Sequence, residues 1–300
     1  MMSLTKSGKA YKVVRPSGIP ASRKPAPKPI QKPVPKLSER KPLRKKTLKE
    51  KQEMAIIIDK EKMEKLKNEE CGRIVVYTCV TGGYDNLIQP VKTDCIDYIC
   101  FTDNLNVDPK GWQLRPMPED VKLLSKVKQQ RMVKVLAHKY LPEYDISVWV
   151  DGSVEVKGDV KEFMSSFIYS GFSIFIPEHP QRNCIYREAI TVKAIGKDKS
   201  NMPEKQSEKY KAEGYPERNG LVQSNIMVRW HNNEDCIEVM EVWAKEIREF
   251  SHRDQLSFNY ALWKTKATCF KYLDKKTCNS KYFKWNTKHN VKNLKLVKKK

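Results

Sequence analysis

Short apolar runs rich in β-branched residues recur along the chain, and each ends at glycine or polar residues. Residues 74–80, 97–103 and 146–150 are runs of this kind and predict buried strands. Residues 123–140 predict a helix that ends before Pro142. A succession of strand, loop, strand, helix and strand is typical of a largely parallel α/β sheet covered on both faces.

The following stretch continues the same alternation with less regular spacing. Residues 172–176 and 222–230 predict further strands, and residues 234–249 and 251–264 predict helices. Residues 196–219 are charged and interrupted by proline and glycine, so we expect an excursion or a mobile loop there.

The first 70 residues differ in composition from the rest. Residues 1–50 hold eight of the 17 prolines, with Lys and Arg between them. Such a segment buries too little apolar surface to offset its ordering entropy, which predicts a disordered basic tail. Residues 51–70 predict a charged helix or linker, residues 71–290 the folded domain, and residues 291–300 a basic C-terminal end.

The charge and composition of the chain indicate which binding partners and which cellular compartment to expect. The 300-residue chain carries 58 Lys and Arg against 36 Asp and Glu, a net charge of +22. Residues 1–70 hold 20 of those cations and 8 of the acids, which favours contact with polyanions.

Without a run of about 18 apolar residues or a secretory leader pattern, we expect a soluble, cytoplasmic protein with no transmembrane segment. Eight cysteines without C-x-x-C spacing predict buried thiols rather than a disulfide framework.

Ligands of open α/β sheets collect where the strands end, so the residues there are candidates for binding. Gly82 and Gly83 follow the first predicted strand and precede Tyr84 and Asp85. Paired glycines let backbone N–H groups approach a phosphate or a base, although they also serve as a simple turn. Asp103 follows the second strand and is placed to accept from a base or a ribose hydroxyl, or to form an Asx-turn.

The third predicted strand leads directly into Asp151. A carboxylate at that position would ligate a divalent cation that holds a diphosphate, or would be a turn aspartate before Gly152. Ser153 and Glu155 follow at a period of two and would lie on the same side if the strand continues.

The helix predicted over residues 123–140 carries cations on its apolar face. At 100° per residue, Arg131, Lys134 and His138 fall within about 60° of one another. Cations on a face that meets a sheet need anionic partners, either a phosphate or structural carboxylates.

Polar groups also cluster further along the chain. His179 and Arg182 are candidate substrate contacts, with Glu188 as a possible internal partner of Arg182. Ser224 and Asn225 offer hydroxyl and amide groups of the kind that bind sugars.

Asp254 lies in a polar stretch that opens a predicted helix. Ser251 and Asp254 have the S-x-x-D spacing of a capping box, which requires no active site.

Taken in order over about residues 73–265, these motifs resemble the glycosyltransferase-like family catalogued as domain of unknown function 616. The matching stretches are 82–85, 97–103, 144–153, 179–182 and 253–258. The resemblance implies a GT-A type, Rossmann-like fold: a mostly parallel mixed sheet with helices on both faces.

The resemblance also implies roles for particular residues of a nucleotide-sugar transferase. Asp151 matches the acidic motif that binds Mn²⁺ or Mg²⁺ and the donor diphosphate, and Asp254 is a possible base or orienting group near the acceptor. The remaining donor-binding candidates are Gly82, Gly83, Tyr84, Asp85, Asp103, Arg131, Lys134 and His138. The candidates for acceptor or sugar binding are His179, Arg182, Ser224, Asn225, Arg253 and Gln255.

One departure from the family pattern concerns the metal. The usual Asp-x-Asp pair is Asp151-Gly152-Ser153 here, so the second carboxylate is missing. Glu155 or His289 would have to complete a metal site.

The leading hypothesis is a glycosyltransferase, hexosyl or pentosyl, that moves a sugar from a nucleoside diphosphate to a glycan, protein or small-molecule acceptor. The alternative is a polyanion- or nucleic-acid-binding protein that acts through residues 1–50 and carries a catalytically silent sugar-binding domain.

Overall fold

The computed structural model describes residues 73–286. The predicted tail over residues 1–50, the segment 51–70, the end 291–300 and the candidate ligand His289 lie outside these described residues. The predicted limits of those segments stay predictions.

The described residues form a large mixed sheet and a small separate one. The large sheet has the spatial order β3-β2-β1-β4-β7-β6-β8, and β5 pairs with β9. Within the large sheet β7 is antiparallel to β4 and β6, whereas the other neighbours are parallel. The strands are β1 Ile74–Val80, β2 Ile96–Thr102, β3 Gln113–Pro116, β4 Ile146–Val150, β5 Val154–Val156, β6 Ile174–Pro177, β7 Ile226–Arg229, β8 Phe270–Leu273 and β9 Phe283–Trp285. The predicted mostly parallel mixed sheet is confirmed.

Helices occupy the connections between these strands. They are α1 Lys126–Val135, α2 Ala137–Tyr140, α3 Val160–Ser165, α4 Ile185–Ala194, α5 Met202–Ala212, α6 Glu234–Glu249 and α7 Phe258–Thr265. Short 3₁₀ turns lie at Glu119–Val121 and Asp254–Leu256.

The large sheet is covered on both faces, as the sequence predicts. On one face Tyr77 and Trp149 pack in a cluster with Met132 of α1 and Trp243 of α6. The opposite face packs against the short helix α3 and the β5–β9 pair. Because both faces are covered, every residue of β4 is buried, which explains its continuous apolar run.

The helix predicted over residues 123–140 is interrupted at Leu136, which has φ −94° and ψ 47°. The fully buried Arg229 explains the break, because its guanidinium donates to the carbonyl oxygens of Lys134 at 2.9 Å and Val135 at 2.7 Å. Those bonds satisfy carbonyl groups that the interrupted helix leaves without its own donors. The prediction of one continuous helix is therefore wrong.

The loop predicted over residues 196–219 contains helix α5. Pro203 lies in the first helical turn, where a missing N–H costs nothing, so it begins the helix rather than breaking it. Tyr210 on the buried side donates to Glu246 Oε2 at 2.8 Å and ties α5 to α6. The helix predicted over 251–264 is a 3₁₀ turn followed by α7.

The described cysteines are mostly buried thiols, as predicted: Cys79, Cys100, Cys184, Cys236, Cys269 and Cys278. Cys95 is instead disulfide-bonded, so the expectation of thiols throughout is wrong at that position.

Over residues 73–286, no helix is both long and apolar enough to span a bilayer.

Candidate functional site

Lys134 joins two carboxylates from distant parts of the chain. Its side chain projects from α1, is fully buried, and places Nζ 2.6 Å from Asp254 Oδ2 and 3.3 Å from Asp151 Oδ1. The ammonium group also lies 5.6 Å from the centre of the Trp149 ring. The carboxyl end of β4 and the 3₁₀ turn before α7 therefore meet at one cation.

Asp151 is oriented by the strand that precedes it. Trp149, two residues earlier on the same face of β4, donates its indole N–H to Asp151 Oδ1 at 2.8 Å. The Asp151 backbone N–H donates to Asn225 O at 2.9 Å. Both side-chain contacts use Oδ1, and the side chain is 21% exposed. One carboxylate oxygen is thus fixed, and Oδ2 accepts no hydrogen bond from residues 73–286.

Asp254 is an ion-paired carboxylate that is 2% exposed. Ser224 Oγ donates to its Oδ2 at 2.9 Å, and Arg131 Nε lies 3.6 Å from its Oδ1. Burial by itself would raise the pKa of Asp254, but the charges of Arg131, Lys134 and Arg253 hold that pKa well below its usual range. A carboxylate this acidic is a poor proton acceptor at neutral pH, so the geometry fits an orienting group better than a base.

The S-x-x-D spacing of Ser251 and Asp254 does not produce a capping box. Ser251 Oγ donates to Asp198 Oδ2 at 2.6 Å and accepts from the Arg253 N–H at 3.1 Å. Asp254 faces Lys134 instead, which a local spacing rule has no means of detecting.

Asp103, which follows β2, binds the loop of paired glycines that follows β1. Its carboxylate accepts from the Gly82 N–H at 3.2 and 3.1 Å and pairs with Lys126 Nζ at 2.9 Å. Burial raises the pKa of Asp103, but these hydrogen bonds outweigh it and lower that pKa. Gly82 and Gly83 have φ values of 66° and 64°, in the left-handed region that glycine adopts without strain.

Asp85 lies beside the loop that follows β4. A Cβ at Gly152 would lie 3.4 Å from Asp85 Oδ2 and 3.3 Å from Val80 Cγ2. Glycine at position 152 therefore allows the β1 and β4 loops to approach closely. Tyr84, which precedes Asp85, is exposed.

His179 and Arg182 form a compact polar cluster after β6. His179 Nδ1 accepts from the Gln181 and Arg182 backbone N–H groups at 3.2 and 3.0 Å. Burial, together with the charges of Arg182 and Lys197, lowers the pKa of His179 to about 4, so the ring is neutral at pH 7. Arg182 pairs with the buried Glu188, which is the internal partner that the sequence suggests.

Arg253 directly precedes Asp254, at the start of the 3₁₀ turn. It interacts electrostatically with Arg131, Asp254, Glu188 and Asp151. The neighbouring Gln255 donates through Nε2 to Val222 O at 3.0 Å, which fixes the turn against the segment before β7.

Three of the predicted site residues are placed differently. His138 follows the break at Leu136 and bonds Glu241 Oε1 of α6 at 2.9 Å rather than approaching Asp151. Glu155 lies on β5 opposite Lys284 of β9. Asn225 contributes its backbone carbonyl, not its amide, to the contact described above.

Sequence reasoning missed two residues that shape the site, Trp149 and Lys126. Trp149 carried a usable signal, because it is two residues before Asp151 and so shares its face of the strand. Lys126 carried no local signal, since its contact with Asp103 depends on how α1 packs beside β2.

The described residues offer no complete set of protein ligands for a divalent cation at Asp151. Across residues 73–286, no group of three or more His, Cys, Asp or Glu side chains is arranged to hold a metal ion. Asp151 Oδ1 already accepts from Lys134 and Trp149, and a serine replaces the second carboxylate at position 153. Glu155 pairs through its backbone with Lys284 in the small sheet.

Three comparisons show which known proteins the chain resembles. The sequence model of the TOD1/MUCI70, glycosyltransferase-like domain matches residues 112–291, and domain of unknown function 616 is an older label for that family. The protein named "Probable hexosyltransferase MUCI70" from Arabidopsis thaliana is 23% identical over 225 residues, which cover 65% of this chain and 38% of that protein. The chain thus matches well under half the length of this relative. The apo structure of the WbbM bifunctional glycosyltransferase aligns with a TM-score of 0.44 and 11% identity, covering 68% of this chain and 39% of that one.

Proposed function

The chain belongs to the TOD1/MUCI70 glycosyltransferase-like domain family, and on that premise we propose that it transfers a sugar from a nucleoside diphosphate donor to an acceptor. The observation that carries the proposal is the meeting of Asp151 and Asp254 with Lys134, Arg131 and Arg253 where β4 ends. The carboxyl ends of the strands are where open α/β sheets bind their ligands.

The charge of this cluster suits the departing group. Transfer breaks the bond between the anomeric carbon and the donor's phosphate oxygen, and the diphosphate leaves with the electron pair. The acceptor oxygen forms the new bond and loses its proton. Three cations face two carboxylates in the cluster, so one positive charge remains to stabilise the diphosphate as its charge develops.

The other strand ends suit the remaining parts of the substrates. Asp103, with the left-handed glycines and Lys126, lies at the ends of β1 and β2 and is suited to the nucleoside. His179 and Ser224 follow β6 and precede β7, on the side we propose for the transferred sugar and the acceptor. Asp254 holds Lys134 and Ser224 in place. We assign no step to Mn²⁺ or Mg²⁺, because the described residues offer no complete ligand set for such an ion.

A donor panel tests this function. Wild-type protein and the Asp151→Asn variant would be assayed for hydrolysis and transfer with uridine, guanosine and cytidine diphosphate sugars, covering hexoses and pentoses. Removing a group that fixes the reacting centre is expected to lower turnover about 100-fold, in the range found when one oriented polar contact is lost. Asp235→Asn, at an exposed carboxylate in the first turn of α6, is the matched control and should leave turnover unchanged. Wild-type turnover by Asp151→Asn would contradict the proposal.

A further inference from the structure

Arg253 is a partly buried cation that forms no ion pair with a carboxylate within residues 73–286. Three carboxylates act on it electrostatically, namely Asp254, Glu188 and Asp151. Each is already in an ion pair with another side chain: Asp254 with Lys134 and Arg131, Glu188 with Arg182, and Asp151 with Lys134. Within residues 73–286, Arg253 therefore adds a positive charge that no ion pair balances.

The hydrogen bonds of Arg253 are also incomplete. Within residues 73–286 its guanidinium makes one hydrogen bond, from Nη2 to Gln255 Oε1 at 3.5 Å, which is long for a guanidinium donor. Its Nε–H is buried and has no acceptor among the described residues. A guanidinium has five N–H donors and stays charged in proteins, so most of the binding capacity of this group is unused.

Such an arrangement is costly unless an anion completes it. A buried charge without a partner is strongly unfavourable, and burial lowers the pKa of Arg253 for the same reason. Lys134 and Arg131 do not share this property, whereas Lys197, whose charge also acts on Arg253, forms no ion pair within residues 73–286. Lys134 is paired with two carboxylates, and Arg131 bonds His252 O at 3.3 Å and Gln130 Oε1 and lies beside Asp254.

We propose that Arg253 pairs with the donor's diphosphate and supplies the positive charge that a divalent cation supplies in transferases with a complete Asp-x-Asp motif. The inference rests on the proposed function and deepens it. It accounts together for the serine at position 153, for the two donors that already occupy Asp151 Oδ1, and for the unbalanced guanidinium. The planar fork of arginine matches two phosphate oxygens, which a lysine does not reproduce.

Calorimetric titration of the full chain with uridine diphosphate, guanosine diphosphate and inorganic pyrophosphate tests this inference. Each titration is run once in EDTA and once in Mn²⁺. We expect at least one of these anions to bind wild-type protein in EDTA, and to bind no more tightly in Mn²⁺. Arg253→Gln should weaken that binding about 10- to 100-fold, the loss expected for one or two charge-assisted hydrogen bonds. Arg253→Lys should bind the anion with a Kd between those of wild type and Arg253→Gln.

Arg187→Gln is the matched control, because Arg187 is an exposed arginine of α4. It leaves the charge of residues 1–70 unchanged, so any non-specific binding of phosphate by that segment is the same in both variants. Near-UV circular dichroism would establish that Arg253→Gln keeps its tertiary packing. The comparison of EDTA with Mn²⁺ on wild-type protein needs no variant and decides the cation question even if Arg253→Gln fails to fold.

The outcomes separate the two proposals. Binding that appears only with Mn²⁺, or equal binding by wild type and Arg253→Gln, overturns the role of Arg253 and leaves the proposed function intact. Failure of all three anions to bind wild-type protein in either buffer overturns the proposed function and this inference with it.

Discussion

Replacing Lys134 by methionine removes a buried positive charge and keeps most of the side-chain volume. Asp151 would retain its contact with Trp149, and Asp254 would retain Ser224 and the more distant Arg131. Breaking a buried ion pair by removing one partner costs about 3–5 kcal/mol of the free energy of unfolding. For a domain of this size, that loss corresponds to a fall in Tm of about 6–20 °C.

A double-mutant cycle isolates the contact between Lys134 and Asp254. The free energy of unfolding of wild type, Lys134→Met, Asp254→Asn and the double variant would be measured by urea denaturation followed by tryptophan fluorescence at pH 7. Each single variant leaves one charge with only its longer contact, Asp151 for Lys134 and Arg131 for Asp254, whereas the double variant removes both charges. We expect the double variant to be less destabilised than the sum of the single variants, by about 1–3 kcal/mol.

Lys245→Met provides the matched control. Lys245 lies on α6 with a side chain that is 69% exposed, and its contact with Glu249 is 4.0 Å long. An exposed pair of this kind contributes little, so the control should change stability by less than about 0.5 kcal/mol. Additive single variants, or a Lys134→Met protein as stable as the Lys245→Met control, would refute the assignment of Lys134 as the central buried cation.

Two further predictions concern acid stability and the basic N-terminal segment. Burial lowers the pKa values of His179 and His231 from 6.5 to about 4, so the unfolded chain binds more protons than the folded one between those pH values. Stability should therefore be complete above about pH 6.5 and fall as the pH drops towards 4, and His231→Gln should flatten that fall in the urea midpoint. An unaltered pH profile in the variant would count against this cause. Deleting residues 1–70, which lie outside the described part of the chain, should preserve donor turnover and abolish salt-sensitive heparin binding in a filter assay; heparin binding that survives the deletion would place the polyanion contact elsewhere.

The sequence predicts those parts of the fold that depend on local pattern. The runs of β1, β2 and β4 are continuous because these strands are buried on both faces, and α6 spans the predicted residues 234–249. The strands β3 and β8 escape prediction because they are four residues long and partly exposed, so they carry no strong hydrophobic signal. The break at Leu136 is set by Arg229 from another part of the chain, which no local pattern encodes.

The sequence likewise predicts some features of the candidate site and misses others. The rule that ligands bind at strand ends is sufficient to predict that Asp103 and Asp151 lie at one edge of the sheet. The partner of each charge does not follow from that rule. Lys134 and Asp254 are 120 positions apart and meet only because α1 and the turn before α7 pack on the same face. The same packing leaves Arg253 without an ion pair within residues 73–286, whereas the sequence predicts it only as a contact for the acceptor or the sugar.

A crystal structure of the chain with a bound nucleoside diphosphate tests the central claim most directly. The account predicts that phosphate oxygens lie about 2.7–2.9 Å from the Arg253 guanidinium at the end of β4, with the nucleoside directed towards Asp103. Diphosphate bound elsewhere, for example in the cavity of about 720 Å³ lined by Trp263 and Tyr272, with Arg253 making no contact to it, would contradict the account.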